Sequence, residues 1–265
     1  MSIHRIQRAF ESLKNKEETA FIPFSVAGFP DPERSLEIFL KLAECGGDVL
    51  ELGFPFSDPV ADGPVIQKAA TAAIRSGITM DRALDMIAAI RDRSDIPIIF
   101  FSYFNPIHKY GPERFTARAK EAGVDGLLIV DLPLEEAGML KPHAEKADLA
   151  WIFLATPTTP PERILRMDNE GSGFLYYVSV TGVTGARNAL PVGLASTCSE
   201  VRNLCRLPLA VGFGVSDAGQ AAWLRPHVDG VVVGSAIVSR VENGDSLEDL
   251  GTWLNGIKAA LRNAT

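Results

Sequence analysis

Short, largely apolar runs recur along the chain, and each is followed by a segment whose apolar positions repeat at helical spacing. The runs fall at 20–27, 48–52, 96–102, 125–130, 150–155, 173–179, 208–212 and 230–233. Their apolar character does not alternate, which is the pattern of strands covered on both faces in a parallel sheet. Helical periodicity follows at 35–45, 65–75, 81–91, 112–122, 134–147, 161–167, 194–205, 218–224, 235–241 and 247–260. Before the first strand, Ile3, Ile6, Phe10 and Leu13 repeat at helical spacing. This predicts a helix docked on the body, the alternative being an amphipathic targeting helix diluted by Glu11, Glu17 and Glu18. Eight strand–helix repeats predict a (β/α)8 TIM barrel with an additional N-terminal helix, an open doubly wound sheet being the competing topology. No linker or low-complexity tract divides the chain, so residues 1–265 read as one barrel domain.

Composition narrows the function. A formal net charge of −7 speaks against a nucleic-acid groove, which needs concentrated positive charge. It leaves room for a small phosphate ligand held by backbone amides at a helix start. No apolar run is long enough to span a membrane. Cys45, Cys198 and Cys205 are scattered, without zinc or CxxC spacing, which fits a reducing, cytoplasmic setting. The four histidines, His4, His108, His143 and His227, fall in predicted helices or loops with no paired ligand nearby, so no metal is expected.

In a barrel the loops after the strands share one face, where the chemistry sits. Glu51 ends the second predicted strand and Asp62 lies in the loop beyond it. An ionised carboxylate on a buried strand is costly without a partner, so Glu51 either meets one or uses its proton in chemistry. Tyr103 and Asn105 follow the third strand, Asp131 the fourth and Thr156 the fifth, while Tyr176 lies within the sixth. Three glycine loops, at 181–185, 212–214 and 234–236, follow the last three strands, and Ser235 opens a helix. Their amides suit a phosphate, although glycine also ends strands simply to turn. Phe24, Ile66, Phe101, Leu128, Val130 and Phe213 could wall a flat aromatic group or merely cap the core.

The stretches AFIPFSVAGFPDP (20–32), ELGFPFSDPVADGP (51–64), DLP (131–133), GVTG (182–185), GFGVS (212–216) and GSAIV (234–238) resemble the tryptophan synthase alpha subunit family almost end to end. That resemblance implies cleavage of indole-3-glycerol phosphate to indole and glyceraldehyde 3-phosphate, a retro-aldol reaction without a cofactor in this chain. It implies Glu51 as general acid and base and Asp62 as the ionised partner of the indole N–H. It implies Phe24, Phe101, Leu128 and Phe213 around the indole and Tyr176 bordering Glu51; Ile66, just past the Asp62 loop, and Tyr103, after the third strand, are further expected substrate contacts. Thr184 would belong to a closing loop, and Gly185, Gly214, Gly234 and Ser235 would take the phosphate. Asp58 and Pro59 would face a beta subunit that carries pyridoxal phosphate, in an α2β2 complex. Val180–Thr181 departs from the Arg–Ala of other members before GVTG. A stand-alone lyase, a sugar-phosphate isomerase on the same barrel, and a non-catalytic activating subunit are the alternatives.

Overall fold

The computed structural model describes residues 3–178, 193–212 and 214–262, with the side chains of residues 3 and 4 left aside. Nine strands are present among them: β1 (Ala20–Val26), β2 (Leu50–Gly53), β3 (Ile98–Ser102), β4 (Gly126–Ile129), β5 (Ala150–Ile152), β6 (Leu154–Ala155), β7 (Leu175–Val178), β8 (Leu209–Gly212) and β9 (Gly230–Val233). All neighbours pair in parallel in the order β5-β4-β3-β2-β1-β9-β8-β7-β6. β5 and β6 are one run of chain that bonds to β4 on one side and β7 on the other, and Phe153 O between them accepts the N–H of Tyr176 at 3.0 Å. The eight predicted strands therefore form a TIM barrel whose fifth strand changes partners midway.

The helices among the described residues are α1 (Ile3–Lys14), α2 (Pro32–Glu44), α3 (Pro64–Arg75), α4 (Met80–Arg91), α5 (Phe104–Tyr110), α6 (Pro112–Ala122), α7 (Lys141–Lys146), α8 (Pro161–Glu170), α9 (Leu194–Leu204), α10 (Ala218–Leu224), α11 (Ser235–Glu242) and α12 (Leu247–Ala260). Two departures from the sequence pattern have local causes. The helix expected over 134–147 is a 3-10 turn at Ala137–Met139 followed by the short α7. Pro142 has no N–H to give to Gly138, four residues back, and its ring would clash with that carbonyl, so an α-helix cannot run through. α5 occupies a stretch expected to be loop; Pro106 in its first turn, where no N–H is required, allows the chain to coil at once after β3.

α1 closes the N-terminal end of the barrel. Ile6, Phe10 and Leu13 are buried, and a Cβ on Gly126 would come within 3.2 Å of Ile6 and 3.1 Å of Ile99. Small residues at this level, Gly126, Ala150 and Gly173, thus leave space that Ile6 fills.

The same end carries a repeated device. Asp48, just ahead of β2, accepts the N–H of Phe21 on β1 at 2.7 Å and pairs with Arg262 at 2.7 Å. Asp125, just ahead of β4, accepts the N–H of Ile98 on β3 at 2.8 Å and pairs with Arg91 at 2.8 Å and Arg5 at 2.9 Å. Asp229, ahead of β9, accepts the N–H of Leu209 on β8 at 2.9 Å and pairs with Arg202 at 2.6 Å. Each aspartate satisfies a backbone donor at a strand start, where the ladder has run out. This is why β2 and β4 begin after Asp48 and Asp125 and not on them.

Candidate active site

The opposite end of the barrel opens into a cavity of about 270 Å3. Its walls are successive strand ends. Phe24 of β1, Phe101 of β3 and Val130 after β4 form one side, and Leu154 of β6 with Tyr176 and Val178 of β7 form the other. Gly214, Val215, Val232, Gly234 and Ser235 line the end beside β8 and β9. Ala61, Asp62 and Ile66 lie above β2, and Thr156 and Thr158 above β6.

The Phe24 ring is wedged in place. A Cβ on Gly53 would sit 2.5 Å from it and one on Gly234 would sit 3.0 Å from it, while Phe101 packs edge-on with centroids 5.3 Å apart. Glycine at 53 and 234 is therefore what lets an aromatic ring stand between β2 and β9.

Glu51 is paired in register with Phe24 on one side and Ile99 on the other, one inward step below Phe101. It is 0% exposed, and neither carboxylate oxygen has a hydrogen-bond partner among the described residues. Burial alone pushes its carboxyl from 4.5 up to about 8. At neutral pH it holds its proton. Glu51 does not itself line the cavity, whereas its register partner Phe24 does.

Asp62 is positioned by the loop that joins β2 to α3. Its N–H bonds to Pro59 O at 3.1 Å, and the Gln67 side chain, one turn into α3, donates to Asp62 O at 2.9 Å. The Tyr103 hydroxyl donates to Asp62 Oδ2 at 3.1 Å and accepts the N–H of Ala61 at 3.0 Å. Burial raises the Asp62 carboxyl from 3.8 to about 6, the tyrosine bond pulling the other way. Two buried acids on one segment thus differ in charge at neutral pH, Glu51 protonated and Asp62 ionised. The Tyr176 phenol, buried close to both, is raised well above its ordinary range by burial and then by the charges of Glu51 and Asp62.

At the far end, α11 begins at Ser235 with Gly234 as its cap residue. The first-turn amides have no partners within the helix, so they and the helix dipole favour an anion there. Gly214 has φ +86°, and no atom of the other described residues would crowd a Cβ there, so its backbone conformation calls for glycine. Among the described residues no lysine or arginine lines the cavity. An anion would rest on amides and the Ser235 hydroxyl.

Of the residues expected from sequence, Phe24, Asp62, Ile66, Phe101, Val130, Thr156, Tyr176, Gly214, Gly234 and Ser235 line the cavity. Tyr103 reaches it through Asp62, and Leu128 is buried in the ladder beside Phe101 without lining the cavity. Asp131 accepts the N–H of Phe104 at 2.7 Å and so holds the start of α5. Asp58 is exposed and bonded to the Ser57 hydroxyl at 2.6 Å, next to Val60, which is 79% exposed. Val180, Thr181, Thr184, Gly185 and Phe213 lie outside the described residues. Leu154, Val178, Val215 and Val232 were not singled out from sequence, although as apolar residues at or just beyond the ends of strands they share the signal that picked out Phe24 and Phe101.

Residues 10–261 match the family model described as "Tryptophan synthase alpha chain". The chain is 47% identical over 257 residues to the tryptophan synthase alpha chain of Citrifermentans bemidjiense, covering 96% of both, and 44% identical over 262 residues to that of Geobacter sulfurreducens, covering 98% and 99%. In three dimensions it is similar to a tryptophan synthase of Mycobacterium tuberculosis, with TM-score 0.91, 33% identity and coverage of 98% and 99%. It is also similar to the tryptophan synthase alpha chain of Legionella pneumophila, with TM-score 0.88, 35% identity and 97% of each chain covered.

Proposed function

The chain belongs to the tryptophan synthase alpha chain family, whose members cleave indole-3-glycerol phosphate in tryptophan biosynthesis, and from that premise we propose that Glu51 and Asp62 perform this lyase reaction here. The observation that carries the assignment is Glu51: a fully buried, unpartnered carboxyl pushed up to about 8, beside an aspartate at about 6. A structural ion pair would have given Glu51 a cation, and none is within reach among the described residues.

The substrate phosphate rests on the amides of Gly214, Gly234 and Ser235, joined by Gly185, with Thr184 closing over the site. The indole lies against Phe24, Ile66, Phe101 and Phe213, with Leu128 behind them. Glu51, turning into the cavity beside Phe24, gives its proton to indole C3, and the positive charge appears at the ring nitrogen. Ionised Asp62, held by Tyr103, accepts the N–H and stabilises that cation. The Glu51 carboxylate then takes the proton of the glycerol hydroxyl next to the ring. As the carbonyl forms, the carbon–carbon bond breaks, its electron pair returns to the ring, and indole and glyceraldehyde 3-phosphate result. Tyr176 borders Glu51 and limits where its carboxyl can go.

This chain brings no cofactor to the reaction. A beta subunit is its partner, and we assign to that subunit the pyridoxal phosphate that consumes the indole. Asp58 and Pro59, flanked by exposed Val60, form part of the surface it meets, the assembly is an α2β2 heterotetramer in the cytoplasm, and residues 1–265 act as one domain. Indole release from indole-3-glycerol phosphate tests the whole assignment. Glu51→Gln and Asp62→Asn should each abolish most activity while the fold persists, and added beta subunit should raise the wild-type rate. Wild-type turnover in either folded variant would overturn the mechanism, and indifference to the beta subunit would favour a stand-alone lyase.

A further inference from the structure

One polar spot interrupts the apolar side of the cavity, and nothing in the reaction above uses it. Beyond β6 the chain runs Thr156–Pro157–Thr158–Thr159–Pro160, and Thr156 and Thr158 line the cavity beside Val130 and Leu154. The loop closes on itself. Thr159 N–H donates to Thr156 O at 2.9 Å, and Thr156 N–H donates to Thr159 Oγ1 at 2.9 Å. The Thr156 hydroxyl oxygen lies 3.2 Å from that of Thr159 and 2.9 Å from that of Thr158.

Three hydroxyls own three hydrogens, and two contacts among them use two. One O–H is left over. Each hydroxyl that accepts a bond becomes a better donor, so the favoured direction starts at the Thr156 amide and runs through Thr159, then Thr156, to Thr158. The spare hydrogen then falls on Thr158, the exposed member of the set, facing the cavity.

Where this hydrogen meets a ligand follows from the strand order. β8, β9, β1 and β2 are consecutive in the ring, and they carry the anion-binding amides and Asp62. An indole whose N–H points to Asp62 and whose C3 chain runs to Gly234 and Ser235 must turn its carbocyclic edge away from both. That edge faces the walls of β4 to β6, where Val130, Leu154 and the threonines stand.

Resting on the lyase reading, we propose that the Thr156–Thr158–Thr159 hydroxyl chain determines which ring substituents the site accepts, and that Thr158 recognises a hydroxyl on the carbocyclic ring of the indole. An unsubstituted ring leaves Thr158 to bond water at the cavity mouth. A ring hydroxyl at the right carbon replaces that water.

The test compares indole with indoles hydroxylated at each carbocyclic position in turn, as direct binding to the full chain, and as kcat/KM for the corresponding indole-3-glycerol phosphates. At least one hydroxy isomer should bind about fivefold or more tightly than indole, as one hydrogen bond supplies. Thr158→Val should remove that preference and Thr158→Ser should keep it, with melting temperatures confirming that both fold. Equal or weaker binding of every hydroxy isomer by the wild type would overturn the proposal, as would a preference that survives in Thr158→Val. Failure of the lyase reading would be seen separately, as no indole release from the unsubstituted substrate, and the binding comparison would still decide the role of Thr158.

Discussion

The Tyr103 hydroxyl donates to Asp62 Oδ2 across 3.1 Å while accepting the Ala61 N–H at 3.0 Å. The amide just before Asp62 thus polarises the hydroxyl that holds Asp62 ionised. The proposed mechanism uses Asp62 charged, above about 6, and Glu51 protonated, below about 8, so kcat/KM should be bell-shaped with limbs near those values. Tyr103→Phe removes a bond to the charged form and leaves burial, which raises the Asp62 carboxyl further. The acid limb should move to higher pH and kcat at pH 7 should fall roughly tenfold, given about 1.5–3 kcal/mol for a bond to a charged group. An acid limb that stays in place in a pH–rate profile of the variant would separate Tyr103 from Asp62 ionisation.

Glu51 links the site to stability. Its carboxyl is near 4.5 in the unfolded chain and about 8 in the fold, so the folded state binds the extra proton between those values. Its contribution is fully present below pH 4.5 and is lost as pH rises through about 8, at roughly 1.4 kcal/mol per pH unit as an upper limit. Asp62 acts with the same sign but only up to about pH 6, so the loss between pH 6 and 8 belongs to Glu51. Glu51→Gln keeps the shape and removes the charge. Thermal melts from pH 6 to 9 should show the wild type falling more steeply than the variant; parallel curves would be inconsistent with a buried neutral Glu51.

Periodicity was enough to read the barrel, because the strands are largely apolar without alternation and the helices are striped. Glu51 and Asp62 were legible for a related reason: a carboxyl on a buried strand has few explanations. What stayed hidden depends on contacts between distant positions. Tyr103 was visible as a residue at a strand end, but its bond to Asp62 spans 41 positions and follows from how β2 and β3 pair. Asp48 and Asp125 read as first strand residues because a strand-start cap looks like strand until the neighbouring N–H is located. Pro142 lies inside the 134–147 stretch that its helical stripe marks as one helix, and it splits that stretch.

The two ends of the barrel should respond differently to mutation. Asp125 is 0% exposed and serves Arg5, Arg91 and the Ile98 amide, and burial pushes its carboxyl up although those partners pull it down. Asp125→Ala leaves two guanidiniums and a strand-start donor without their acceptor. The loss should be about 3–5 kcal/mol, as for other broken buried pairs. Denaturant titration should report it, together with weaker docking of α1, which Arg5 ties to the barrel. Turnover per folded molecule should stay near wild type, since Asp125 lies at the end opposite the cavity. A catalytic defect without loss of stability would contradict that division.

The Tyr176 hydroxyl occupies the space above Gly212 so closely that a Cβ there would sit 2.0 Å from its oxygen and 2.5 Å from Cζ. Gly212 is the register partner of Val178, and the Tyr176 ring, from two residues earlier on β7, reaches diagonally over it, β8 leaving room for the ring. Gly212→Ala therefore cannot be absorbed without displacing the Tyr176 ring, which lines the cavity and feels the charge of Glu51. The expected result is a loss of kcat of tenfold or more with a folded barrel. Tyr176→Phe should relieve little, because Cζ is itself too close. Tyr176→Val withdraws the whole ring, so Gly212→Ala combined with Tyr176→Val should be more active than Gly212→Ala alone, though less than wild type because the Tyr176 wall is gone. A double-mutant cycle on kcat measures this coupling directly. Additive losses would mean that the clash at Gly212 is not what disables the site.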